Sequence, residues 1–175
     1  MKHRTGENTQ GFSYLELILV IGMIGILAAI AAPRVGQTST HYRIDRAAWH
    51  LANDIAYAQS IARQSSQIQT VIFDIEEELI TLPGIERLDH HQGDYRYKLA
   101  DSLYGVDLVQ VDFVNNAHVT SPDTLAFDMW GMPMCGQPEE GHPYTALSSG
   151  AIVLELGTES RTLTITPITG KVTIE

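Results

Sequence analysis

A single cysteine, Cys135, serves the whole 175-residue chain. It cannot close an internal disulfide, and no second cysteine exists to build a CxxC metal or redox motif. Its expected role is that of a small buried hydrophobe. Basic residues are scarce as well: 11 Lys and Arg stand against 21 Asp and Glu, for a formal charge of -10. From residue 67 onward 17 acids face five cations, a net of -12. Such a surface repels phosphate backbones, so nucleic acid is not an expected partner and a DNA-uptake role lacks its basic patch. Catalytic signatures are missing too. Ser148-Ser149-Gly150 is not a nucleophile elbow, and there is no glycine-rich phosphate loop. His90, His91, His118 and His142 lack the i, i+4 or HExxH spacing of a metal site and read as solvated loop histidines. The separated acids Asp89, Asp94, Asp107 and Asp112 read as decoration of solvated strands. The expectation is a protein without catalytic residues, metal or cofactor.

One absence is local. Residues 12–32, FSYLELILVIGMIGILAAIAA, carry a single formal charge, Glu16. As a helix rising about 1.5 Å per residue, they span roughly 32 Å, enough for the roughly 30 Å hydrocarbon core of a bilayer. From Leu17 onward every face is apolar, whereas a helix on a globular surface keeps a polar stripe. Gly25 with Ala29, and Ala28 with Ala32, place small residues four apart, the spacing that lets another helix approach closely in lipid. The Lys and Arg bias leaves the orientation open, because Lys2 and Arg4 on one side face Arg34, Arg43 and Arg46 on the other.

Two fates of this segment predict different mature proteins. As a secretory signal peptide it would use Lys2 and Arg4 as its charged start and Ala29-Ile30-Ala31 as its cleavage site, releasing a soluble binding domain. Glu16 argues against that: near the bilayer centre an acid costs about 2.5–3.5 kcal/mol, and a signal peptide has no use for it. In the second reading a short polar leader, MKHRTGENTQG, ends at Gly11, Phe12 follows, and Glu16 stands fifth after the junction. This pattern resembles the leader of type IV pilins and of the pseudopilins of type II secretion. The resemblance implies that a prepilin peptidase cuts between Gly11 and Phe12, that the Phe12 amine is methylated, and that Glu16 pairs with the Phe12 amine of a neighbouring subunit. The pairing has its own physical logic. A carboxylate in lipid is retained when it finds a partner, and a helix N-terminus supplies positive charge and unpaired N–H groups.

Pro33 is the 22nd residue after a cut at Gly11, a position where this family often carries a proline, and a kink is expected there. Beyond it Ile44, Ala48, Leu51, Ile55, Ala58 and Ala62 recur at spacings of four and three, an amphipathic helix whose apolar face packs on the chain's own sheet. Trp49 and Tyr57 fall off that stripe. After residue 66 the pattern becomes β-rich, with strands expected over 71–75, 79–82, 95–99, 106–114, 125–127, 152–156, 162–166 and 171–174. Glu76-Glu77-Glu78 reads as an acidic hairpin connection, and three successive carboxylates do not converge on a metal. Alternation of Leu163 and Ile165 with Val172 and Ile174 around 167–170 predicts a terminal hairpin.

The head resembles the GspH/FimT branch of minor pseudopilins and minor pilins. The residues that carry this are Phe127-Asp128, Gly131 and Pro133, then Gly150, Ile152 and Leu154, Arg161, and the closing Ile165-Thr166-Pro167 with Thr169, Gly170 and Val172. Residues 89–123 match nothing recognisable. The implied organisation is α+β: a leader over 1–11, a transmembrane and assembly helix over 12–33, an amphipathic helix over 34–66, and a periplasmic antiparallel β-rich head over 67–175. The resemblance further implies a single-pass inner-membrane protein whose partners are other pseudopilin or pilin subunits, the prepilin peptidase and the inner-membrane assembly platform. Protein secretion through a type II pseudopilus is the leading expectation, with assembly of a type IV pilus as the alternative.

Overall fold

The computed structural model describes residues 13–87, 90–100, 104–117, 120–121, 123–138 and 141–175, with the side chains of 29–38, 86–87, 90–92 and 120 outside the description. The chain divides into two compact units, residues 1–39 and 40–175. A helical backbone, α1 (Tyr14–Ser65), contributes to both. Among the described residues no helix is long and apolar enough to cross a membrane.

In the first unit, α1 opens with the N–H groups of Glu16 and Leu17 bonded to the Ser13 carbonyl at 3.0 and 3.1 Å. The large apolar side chains from Tyr14 to Leu27 are all exposed. Gly11 and Phe12 lie outside the described residues, and the kink expected at Pro33 falls among the side chains left undescribed.

In the second unit the helix behaves as its spacing predicts. Ile44, Ala48, Leu51, Ile55, Ala58 and Ala62 are fully buried, joined by Ala47 and Ala52 between them. Trp49 and Tyr57 are exposed, on the face turned from the core. The helix stops where Ser66 enters the left-handed region at φ 55°, a helix-ending conformation usually given to Gly or Asn.

Ten strands, all paired antiparallel, follow among the described residues: β1 (Gln69–Asp74), β2 (Leu79–Arg87), β3 (His90–Lys98), β4 (Asp107–Asn115), β5 (Thr120–Ser121), β6 (Thr124–Phe127), β7 (Pro133–Gln137), β8 (His142–Leu156), β9 (Glu159–Ile165) and β10 (Val172–Ile174). Their order is β10-β9-β8-β7-β6-β1-β2-β3, with β4 also on β8 and β5 on β4. The long β8 joins the two halves: Cys135 pairs with Thr145 on its first stretch, while Val111 and Leu163 both pair with Ile152 further along. The inward faces of both halves, with Phe73, Phe113, Phe127, Leu82 and Leu154, form one core with the buried stripe of α1. An α+β fold, a helix packed on an antiparallel β-rich head, is thus present within the second unit.

The acidic hairpin forms as expected, with Asp74 opposite Leu79 and Glu78 at φ 54°. So does the terminal hairpin, where Val172 faces Ile165 and Ile174 faces Leu163. Strands β5 and β7 have no counterpart in the expected set, β8 begins ten residues ahead of its expected start at Ile152, and β2, β3 and β9 also run three to five residues beyond the expected bounds. Pro133, Gly136 and Pro143 suppress the alternation by which a strand is recognised. Gly136 is needed there, because a Cβ would sit 2.6 Å from the Pro143 carbonyl oxygen. Cys135 lies fully buried on β7, and burial pushes its thiol up to about 11.

Candidate functional site

The residues singled out in the sequence fall into two groups, one in each unit. In the first unit, Glu16 stands in the opening turn of α1, exposed, with no described residue bonded to its carboxylate. Around it Leu15, Leu17, Ile18 and Leu19 are each more than half exposed, and apart from Val20 at 44% the same holds for the large apolar side chains on to Ile26 and Leu27. Continuous exposed apolar surfaces of this kind mark protein-interaction or membrane-contact faces. The single carboxylate of this surface lies at the end of the helix where free N–H groups gather, whose partial positive charge favours an acid.

In the second unit the weak tail motifs come together on one side of α1. The Gln59 side-chain amide donates to the carbonyls of Gly131 and Thr169, each at 2.7 Å. One nitrogen thereby holds the β6–β7 turn and the β9–β10 turn, two segments far apart in sequence. The β6–β7 turn is itself rigid. Asp128 Oδ1 accepts from the backbone N–H groups of Trp130 and Met132, and the Asp128 carbonyl accepts from Gly131. Gly170, at φ +67°, comes so close that a Cβ would lie 2.7 Å from Gln59 Nε2 and 3.0 Å from Phe127. A side chain there would force Gln59 or the turn to shift. Arg161, on β9, donates from Nε to Asp45 Oδ1 at 2.7 Å, and its neighbour Glu159 reaches His41 at 3.2 Å. Phe127, Gly131, Arg161, Thr169 and Gly170 therefore act as a seam between sheet and helix.

Gln59 and Asp45, the helix side of this seam, carry no signal in the sequence beyond being polar residues beside the apolar stripe. A second polar cluster also went unmarked. His50 Nδ1 stands 3.4 Å from Asp54 Oδ2, one helical turn on. The His50 ring meets Tyr97 edge-on at 4.9 Å and Tyr104 at 5.8 Å. His50 Nδ1, Asp54 Oδ2 and the Tyr97 hydroxyl are buried, and none of them closes a well-aligned hydrogen bond. Burial pushes the Asp54 carboxyl up, against the opposing pull of the Tyr97 hydroxyl and the His50 ring. Burial, with the Asp54 charge beside it, holds the Tyr97 phenol well above its ordinary value.

No family model matches the chain, and no curated protein does. A solved structure that it resembles is that of the type IV minor pilin FimU of Pseudomonas aeruginosa strain PAO1. The two are 13% identical, with 77% of this chain and 90% of that chain covered and a TM-score of 0.46. A likeness of that size assigns no role to this chain. Neither unit brings three metal-ligating side chains together among the described residues. What the chain does present is an exposed apolar helix with one acid at its start, and a stable head whose own helix face is already occupied.

Proposed function

We propose that the chain is a non-enzymatic assembly subunit of the pilin type, stored in the inner membrane and built into a periplasmic fibre. One observation carries the reading: the first unit exposes apolar side chains on every face of α1, with Glu16 as the lone acid in its first turn. Lipid covers such a helix during storage, and the helices of other subunits cover it in a fibre. The Gly11-Phe12 junction ahead of it supports trimming by a prepilin peptidase and methylation of the new Phe12 amine. Glu16 then pairs with the Phe12 amine of the neighbouring subunit, which neutralises both charges inside the apolar bundle.

The tail motifs favour a minor subunit of the GspH/FimT kind. We assign it to the pseudopilus of type II secretion, with the type IV pilus as the alternative host and the assembly platform as the further partner. Neighbouring genes for a secretion ATPase and secretin, or for pilus motors, decide between the two. The intact mass of the protein extracted from membranes, with and without an active prepilin peptidase, tests the class. A chain that begins at Phe12 and carries one added methyl is the expected result. A chain that begins at Ala32 would overturn the proposal in favour of a released periplasmic binding domain.

A further inference from the structure

The two flanks of α1 hold the sheet by different chemistry. Asp45 and Gln59 fall on one side of the buried stripe, while Arg43, His50 and Asp54, spaced seven and four residues apart, fall in line on the other. The first flank is closed by hydrogen bonds at 2.7 Å, from Arg161 to Asp45 and from Gln59 to the Gly131 and Thr169 carbonyls. Gln59 does not titrate, and a guanidinium keeps its charge at any pH that a folded protein meets. His41 on this flank is half exposed where it meets Glu159, so a change in its charge is screened by water.

The second flank is built from groups that do titrate, and they are buried. The His50 ring meets Tyr97 of β3 edge-on at 4.9 Å and Tyr104, beyond the end of β3, at 5.8 Å. Asp54 Oδ2 stands 3.4 Å from His50 Nδ1, and neither atom, nor the Tyr97 hydroxyl, closes an aligned hydrogen bond. Tyr95 lies 5.5 Å from Tyr97, ring to ring. The Arg43 guanidinium covers Gly105, where a Cβ would sit 2.5 Å from Nη2. The strand held by this flank is the last of its sheet: among the described residues β3 pairs with β2 alone, and their register shifts between Leu82 and Glu86. One strand partner, apolar packing and a cluster whose charge depends on pH therefore fix the 95–98 stretch of β3.

We propose that this flank is a proton-operated latch: residues 95–98 stay docked on α1 while His50 and Asp54 together are uncharged, and loosen as rising pH leaves the Asp54 carboxylate a lone charge facing Tyr95, Tyr97 and Tyr104. An imidazole beside a protonated carboxyl is neutral as a pair, and so is an imidazolium beside a carboxylate. Removing the one proton that either form holds leaves a net negative charge in a buried place where no aligned hydrogen bond meets it. The cation on this line of the helix, Arg43, stands roughly 16 Å along the axis from Asp54, with its guanidinium engaged over Gly105. Burial raises the folded-state pKa of Asp54 above its unfolded value, so the contribution is present at low pH and lost as pH rises through the folded value. Because β3 closes the edge of the sheet, the latch sets how readily that edge opens. It rests on residues of the second unit alone, so it and the assembly reading fail independently.

The test is hydrogen exchange of the full chain in detergent from pH 5 to pH 8, corrected for the intrinsic pH dependence of exchange. Protection of residues 95–98 is expected to fall about threefold more than that of the Gln59-clamped turns at 128–132 and 166–170. In Asp54→Asn, which cannot ionise, that difference between the two regions is expected to vanish. Tyr97→Phe keeps the ring against His50 and removes a hydroxyl that favours the carboxylate, so its midpoint is expected to move to higher pH. A merely structural role for the cluster would not move a midpoint, and the comparison of the two regions within the parent needs no variant to fold. Parallel profiles for the two regions in the parent, protection of residues 95–98 that rises with pH, a pH dependence that survives Asp54→Asn, or an unmoved midpoint in Tyr97→Phe would each overturn the proposal.

Discussion

The helix before Ser39 and the helix after Thr40 share one backbone conformation and differ in what their side chains leave open. In the first unit Leu17, Ile21 and Ile24 are exposed alongside their neighbours on every other face. In the second, Ile44, Leu51 and Ile55 are sealed under ten strands while Tyr42, Trp49 and Tyr57 face outward. A helix with one apolar stripe finds its partner within its own chain, and a helix apolar all round cannot. The periodicity of the apolar residues therefore divides the chain into a part whose apolar face is buried within its own fold and a part whose apolar side chains stay exposed. Glu16 belongs to the second kind, and the proposed reading gives it the Phe12 amine of a neighbouring subunit as partner.

Substitutions that strike one unit and spare the other break this comparison most directly. On the proposed pairing, Glu16→Leu leaves the neighbouring subunit's Phe12 amine without its partner and is expected to cost about 2–5 kcal/mol in assembly, and so to reduce incorporation into fibres more than tenfold. The melting temperature of the head should not move, since its core is built from Ile44 onward. Pull-down of fibres from cells carrying each variant, beside calorimetry of the purified chain, reads both quantities. Leu51→Ala reverses the pattern. It removes a fully buried side chain and should cost about 2–5 kcal/mol of unfolding free energy in a denaturant titration. Leu19→Ala, equal in chemistry but more than half exposed, should leave that stability unchanged.

The comparison also explains which parts of the structure could be read from the residues. The buried stripe of α1 followed from spacing alone, because a helix repeats every 3.6 residues and Ile44 to Ala62 obey it. The closing hairpin was legible for the same reason at period two. Strand β7 and the first half of β8 were not: Gly136 and Pro143 are there to let two strands approach, and that need is invisible until both strands are in place. The tail motifs were recognised as residues and not as a seam. Gly170 signals a turn in any sequence, whereas its close packing on Gln59 depends on a partner more than a hundred residues away. His50 and Asp54 sit one turn apart on the helix, and only Tyr97 and Tyr104, brought in by the sheet side, turn them into a buried polar cluster.

Two smaller effects sharpen the picture inside the head. Gln59→Ala leaves the Gly131 and Thr169 carbonyls without their shared donor and should cost about 0.5–1.5 kcal/mol, since water reaches the turns. Hydrogen exchange at Gly131 and Gly170 should rise more than exchange in β4, since only the clamped turns lose a contact. The Asp54 cluster has the smallest expected effect, and its sign follows from its surroundings. Burial raises the folded-state pKa of Asp54 above its unfolded value, so the folded protein holds that proton more tightly. The stability it contributes is fully present below the ordinary carboxylate range and is lost as pH rises through the raised folded value. Asp54→Asn keeps a polar group of the same shape and cannot ionise. The variant should therefore gain on the parent in denaturant midpoint as pH climbs through that window, and the two curves should run parallel above it. A parent that instead gains on Asp54→Asn with rising pH would mean that the pull of His50 and Tyr97 on the carboxylate outweighs its burial, and that the cluster holds the helix to the sheet as an ion pair.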